Sequence, residues 1–216
     1  MRPAGRLAGR SSIGLLKMVF GNHRWKRQID PISAAFDKIY RTREWGFGSG
    51  EGSNPEYATP YIRYIENFLK DKNIRSVLDC GCGDLQIAST VDWGEVDYLG
   101  IETSQEALAL AETRIKPGLV LKNTHISSQR WSRDLALVKE VFQHLPFFEI
   151  GRCLQSLSCC KYVLVTNDFP GKAEDIPYGH YRPIDIRKNP LNVKAEPVLT
   201  YVVGETEKLV LLITND

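Results

Sequence analysis

From Thr59 onward, Ile62, Ile65, Phe68 and Leu69 recur at the three- and four-residue spacing of one helical face, which predicts a helix ending near Asn73. The pattern then changes. Ser76-Val77-Leu78-Asp79 reads as a short buried strand, followed at once by Gly81 and Gly83 and by a helix through Ala88. A second strand is expected at Tyr98–Ile101, then a helix in which Ala107, Leu108, Ala111 and Ile115 share a face. Further strands fall at Leu119–Leu121, Leu135–Val138 and Tyr162–Thr166, with a helix over Phe147–Leu157 between the last two. Strands alternating with helices imply a parallel sheet covered on both faces. The end of the chain differs: Val198–Val203 and Leu209–Thr214 are β-rich runs joined by Gly204-Glu205-Thr206-Glu207 with no helix between them, an antiparallel hairpin. The expected fold is therefore α/β and doubly wound, a mainly parallel seven-stranded sheet closed by an antiparallel C-terminal hairpin.

Ahead of Thr59, Trp45–Pro55 contains Gly46, Gly48, Gly50 and Gly52, which argue against any regular element and for a mobile loop. Residues 1–55 are accordingly expected to form a basic N-terminal extension ending in a glycine-rich loop, and residues 56–216 one folded domain. A chain of 216 residues suffices for one well-buried core. Hydrophobic residues at 43% and charged residues at 25% are globular values, which excludes wholesale disorder. The formal net charge of +2 gives no general reason to expect a nucleic-acid partner.

The first 29 residues carry Arg2, Arg6, Arg10, Lys17, Arg24, Lys26 and Arg27 and no acidic residue. A plain basic tail is the first reading; organelle targeting or association with a membrane surface is the alternative. No apolar run approaches the roughly 20 residues that span a bilayer, and the expected location is cytoplasmic. Cys80, Cys82, Cys153, Cys159 and Cys160 lack a zinc-type spacing and are expected to be free thiols, with no metal bound.

In a doubly wound sheet the ligand lies beyond the carboxyl ends of the strands, which brings Asp79–Asp84 and Glu102 together. Glycines at 81 and 83 let the backbone approach a ligand. Glu102 ends the second strand, 19 residues after Gly83, placed to accept hydrogen bonds from two ribose hydroxyls. A dinucleotide turn would need a third glycine where this chain has Gln86, so pyrophosphate binding is disfavoured. Val77-Leu78-Asp79-Cys80-Gly81-Cys82-Gly83-Asp84 instead resembles the first motif of class I methyltransferases, and Tyr98–Leu108 is similar to their second. Arg133–Leu145 resembles their fourth-strand motif ending in histidine and leucine, and the terminal hairpin is similar to their antiparallel last strand. These resemblances cover Ser76 to the end. Leu85 departs from the small residue common after the first motif, and no acidic adenine ligand is evident around His125-Ile126-Ser127-Ser128.

The resemblance implies S-adenosyl-L-methionine as cofactor: Asp79 orienting the methionine amino group, Gly81 and Gly83 accommodating the methionine and sulfonium, Glu102 holding the ribose and Lys139 offering its backbone carbonyl. His144 and Glu140 are the candidate bases, each with a structural alternative. The loop around Trp45 and the segment with Tyr181 and Arg182 flank the core and are candidates for acceptor binding, Arg182 through its planar fork. The first is expected to act as a lid. The expected activity is O- or N-methylation of a small molecule or glycan; the alternatives are a protein or RNA methyltransferase, or a catalytically silent scaffold that keeps the cofactor site.

Overall fold

The computed structural model describes residues 30–172 and 174–215. The basic residues up to Arg27, on which the tail and targeting readings rest, lie outside the described residues. The chain first forms helix α1, Pro31–Thr42, which the sequence reading missed. Its start is well specified: the Asp30 carboxylate accepts from the backbone of Ile32 and Ser33 at 3.3 and 3.4 Å, and Pro31 stands in the first turn. Ile32, Phe36 and Ile39 form its buried face, and Arg43 ends it in the left-handed region at φ 56°. The glycine-rich loop follows; within it Glu51–Ser53 forms one turn of 3₁₀ helix, so the segment is less irregular than expected.

Helix α2 spans Thr59–Asp71 and leads into β1, Ser76–Cys80. Strand β2 is Asp97–Glu102, helix α3 Gln105–Ala111, β3 Leu119–Asn123, β4 Leu135–Lys139, helix α4 Phe147–Ser156 and β5 Tyr162–Phe169. Strands β6, Glu196–Val203, and β7, Thr206–Thr214, close the chain. Two expectations need correction. No helix runs from the glycine turn to Ala88: Leu85 is fully buried at φ 62°, a conformation that interrupts helix, and the segment is a series of turns. Helix α3 ends at Ala111, and Ile115 is 45% exposed rather than on the buried face.

The seven strands lie in the order β3-β2-β1-β4-β5-β7-β6, with every pair parallel except β5 with β7 and β7 with β6. This is the expected doubly wound sheet. From β1 the chain builds outward through β2 and β3, then returns to place β4 on the other side of β1, so the loops after β1 and β4 diverge and leave a cleft at the carboxyl ends. At the opposite end, Asp134 ties β1 to β4 by accepting from the backbone of Arg75 and Ser76 at 3.0 and 2.9 Å. One core, with Leu78, Val138 and Ile150, packs under α1 and α4; the other, with Ile65, Phe68 and Val210, packs under α2. Burying each such side chain contributes about 1.5–3 kcal/mol.

Candidate active site

The turn after β1 is held by the end of β2. The backbone N–H groups of Gly81 and Cys82 both donate to the Ile101 carbonyl, at 2.8 and 3.1 Å. Gly83 donates to Glu102 Oε2 at 3.0 Å, while Thr103 and Ser104 donate to Oε1 at 2.7 and 2.8 Å. Glu102 thus fixes its own turn and the entry to α3. Burial raises its carboxyl above the ordinary value despite these three donors. About one of the carboxylate's four lone pairs is left for a ligand, so one ribose hydroxyl suits it better than the two expected.

Gly81 and Gly83 have φ of 70° and 57°. Their need for glycine has a different cause from the one the sequence suggested: a Cβ on Gly81 would stand 2.6 Å from Val141, and one on Gly83 2.3 Å from Ser49 Oγ. Protein atoms, not empty ligand space, require them. Asp79 accepts from the Tyr98 hydroxyl at 2.7 Å, and burial pushes its carboxyl up to about 6 against the opposing pull of that bond and of Lys139.

A cavity of about 580 Å³ opens in front of this turn, lined by Gly81, Gly83, Glu102, Lys139, Glu140 and His144 among others. Asp79 faces a smaller adjoining space of about 40 Å³, which it shares with Lys139, Tyr61 and Ser49. The glycine-rich loop is seated over both. Ser49 Oγ donates to Asp84 at 2.7 Å, accepts from the Asp84 backbone at 3.1 Å and pairs with the Tyr40 hydroxyl at 2.7 Å. The loop backbone comes so close that a Cβ on Gly48 would lie 2.0 Å from Asp84, and one on Gly52 2.1 Å from Glu140. Trp45 turns inward, its ring 4.7 Å from that of His144 and 5.8 Å from that of Tyr40.

Beyond β4, His144 is buried, and its Nδ1 lies 3.0 Å from the His180 carbonyl, an arrangement that puts the proton on Nδ1 and the lone pair on Nε2. Burial lowers its pKa to about 4. Burial would raise Glu140, but Lys139 and Lys208 outweigh it and hold the carboxyl down to about 2. Glu140 Oε2 accepts from Lys208 at 3.2 Å, and Lys208 also pairs with Asp168. The other Asp168 oxygen accepts from the Tyr181 hydroxyl at 2.7 Å. Lys208, Asp84, Ser49 and Tyr40 were not singled out from the sequence; Lys208 follows Glu205 and Glu207 there and reads as one charge of a polar turn, although the structure buries it.

The structure brings Asp79, Gly81, Gly83, Glu102, Lys139, Glu140, His144, Trp45 and Tyr181 to the two adjoining spaces. It does not bring Arg182. That side chain is 2% exposed, donates to the Leu145 carbonyl at 2.9 Å and lies over the Phe147 ring at 4.6 Å, so it packs α4 against the loop instead of facing the cavity. Among the described residues five glutamates line the larger cavity, Glu44, Glu51, Glu102, Glu140 and Glu149, against one lysine, Lys139, and no arginine. The described residues contain no cluster suited to a metal ion.

No protein-family model matches this sequence, and no curated protein matches it. Solved structures do. Magnesium protoporphyrin IX methyltransferase (ChlM) from Synechocystis PCC 6803, with bound S-adenosylhomocysteine, is similar at a TM-score of 0.60 and 15% identity over 86% of this chain and 95% of that one. The 1,6-didemethyltoxoflavin-N1-methyltransferase of Burkholderia thailandensis, with its acceptor and S-adenosylhomocysteine bound, is similar at a TM-score of 0.57 and 16% identity over 85% and 87%. The bifunctional kinase-methyltransferase WbdD is similar at a TM-score of 0.54 and 18% identity over 75% of this chain and 42% of that one. With this strand order, the antiparallel terminal hairpin and a glycine turn bound to the acidic end of β2, the chain has the class I methyltransferase fold.

Proposed function

We propose that the protein is an S-adenosyl-L-methionine-dependent methyltransferase acting on a small-molecule or glycan acceptor. The observation that carries this reading is the cavity itself: a glycine turn and a buried carboxylate, joined by the Gly83–Glu102 hydrogen bond, face a space of a size that takes a nucleoside ligand. The structural neighbours bound to S-adenosylhomocysteine support it. The donor set fits the cofactor: Glu102 for a ribose hydroxyl, Asp79 for an ammonium, Lys139 for a carboxylate. When bound, the sulfonium supplies an electrophilic methyl group, so the protein's task is alignment and exclusion of water.

Trp45 and Tyr181 flank His144 in the larger cavity, which Asp79 does not line, and form an aromatic wall suited to a planar or apolar acceptor. His144 is neutral at pH 7, and its Nε2 lone pair faces the Gln143 side-chain amide at 3.5 Å; that partner and the low pKa make it an orienting group and a weak base. Glu140, held between two lysines, is poorly placed as a base. Among the described residues glutamates outnumber cations around the cavity, which opposes phosphate-rich acceptors and supports a small molecule over RNA. Incubation with labelled donor and separate metabolite, glycan, peptide and RNA pools tests this. Transfer to a small molecule or glycan is expected; transfer to RNA or peptide alone would overturn the acceptor class, and donor binding without any transfer would favour a silent scaffold.

A further inference from the structure

We infer that the Lys139 ammonium reads the carboxylate of the bound donor and, through the Gly52 carbonyl, couples that carboxylate to the seated glycine-rich loop, so that the bound carboxylate holds the loop more firmly. The inference rests on the donor reading above. Among the described residues Lys139 is the one ammonium or guanidinium lining either the larger cavity or the small space beside Asp79. Its side chain is 8% exposed. Two of its three N–H donors are used, one on the Gly52 carbonyl at 2.7 Å and one on Glu140. The third has no protein acceptor among the described residues, and a buried ammonium with an unmet donor is costly.

The neighbouring charges leave that donor free for a ligand. Glu140 is shared with Lys208, which also pairs with Asp168, so the four groups balance and Glu140 is not neutralised by Lys139 alone. Asp79 faces the same small space as Lys139, so an anion and a cation confront any ligand entering it. That pairing suits the zwitterion of an α-amino acid, with its ammonium toward Asp79 and its carboxylate toward Lys139. The loop bears on the same ammonium. Gly52 lies directly on the Lys139–Glu140 pair, with no room for a Cβ, so the loop carbonyl and the ligand carboxylate complete one donor set. Either one orients Lys139 for the other.

Calorimetry with S-adenosylhomocysteine and with its decarboxylated amine, S-adenosyl-3-thiopropylamine, tests the inference together with limited proteolysis of the loop. The unaltered protein is expected to bind S-adenosylhomocysteine about tenfold or more tightly than the amine, and only the carboxylate ligand should slow cleavage between Gly46 and Gly50. Lys139→Met should erase the preference and the protection while leaving affinity for the amine within about threefold, which also shows that the fold is intact; Lys139→Arg should retain the preference. Equal loss of both ligands in Lys139→Met, or an unchanged preference, would overturn the inference, as would equal protection by the two ligands. Failure of the unaltered protein to bind either nucleoside would overturn the donor reading and this inference with it.

Discussion

Replacing Glu102 by glutamine removes one oxygen from a group that serves three backbone donors. The amide oxygen can keep Thr103 and Ser104, whose bonds to Oε1 measure 2.7 and 2.8 Å, but the amide nitrogen then faces the Gly83 N–H now bonded at 3.0 Å. One buried N–H is left unpaired, at a cost of about 1–3 kcal/mol. Relief from burying the charge, which holds this carboxyl above its ordinary value, offsets part of that cost. For a chain of this length the net loss lowers the midpoint of thermal unfolding by about 2–12 °C. The measurement is a melt of the ligand-free protein, paired with calorimetry against S-adenosylhomocysteine. Binding should weaken about tenfold, since the turn loosens and the ribose loses a charged acceptor. An unchanged melting temperature would refute the account of Glu102 as the anchor of the turn; a lower one with unchanged affinity would refute its role toward the ribose.

Asp79→Asn should stabilise the ligand-free protein at pH 7 by about 1–3 kcal/mol while weakening donor binding. The raised carboxyl, at about 6, is ionised there against its burial, and the cost of that ionisation is absent below its ordinary value of 3.8. Denaturant titrations should therefore show the gain at pH 7 and lose it near pH 3.5; a gain independent of pH would contradict the cause assigned. His144 has the opposite sign: its folded pKa of about 4 lies below the ordinary 6.5, so it contributes stability that is present above 6.5 and lost as pH falls toward 4. In His144→Gln the fall in stability across that window should be shallower by up to one proton, and an unchanged slope would show that His144 does not stay neutral in the fold. Ser49→Ala removes the contacts to Asp84 and Tyr40, and proteolysis near Phe47, which is 75% exposed, should become several-fold faster; an unchanged rate would mean that Ser49 does not hold the loop down.

The strands were legible because their residues sit between covered faces, where Val77-Leu78 and Leu135–Val138 leave no other reading, and the acidic end of β2 was legible because one carboxylate follows an apolar run. The helix expected before Ala88 failed for a reason invisible in periodicity: Leu85 adopts a positive φ so that its side chain can enter the core, and tertiary packing overrides its helical preference. Helix α1 was missed although Asp30-Pro31 is a good start signal, because only Ile32, Phe36 and Ile39 mark its buried face over 12 residues and it stands between a basic segment and a glycine-rich one. Arg182 shows the limit of composition. An arginine in a long loop suits anion binding and burial against an aromatic ring equally well, and only the fold decides between them. The sharing of Glu140 and Asp168 by Lys208 spans 68 and 40 positions of sequence, a separation at which no local pattern survives.

Strand β7 inserts between β5 and β6, and its third residue, Lys208, carries the cation that sits between Glu140 and Asp168. The terminal hairpin is therefore a counter-ion as well as a wall. Until it docks, Glu140 and Asp168 on the parallel side of the sheet lack Lys208, and among the described residues Lys139 on Glu140 is the one ammonium left paired with either, so burying both carboxylates in that state is unfavourable. Completion of the sheet and completion of the charge balance become one event. An intermediate with the parallel strands formed should keep that end of the cleft hydrated, and the cavity should acquire its dry, ligand-ready form only when the hairpin closes the sheet.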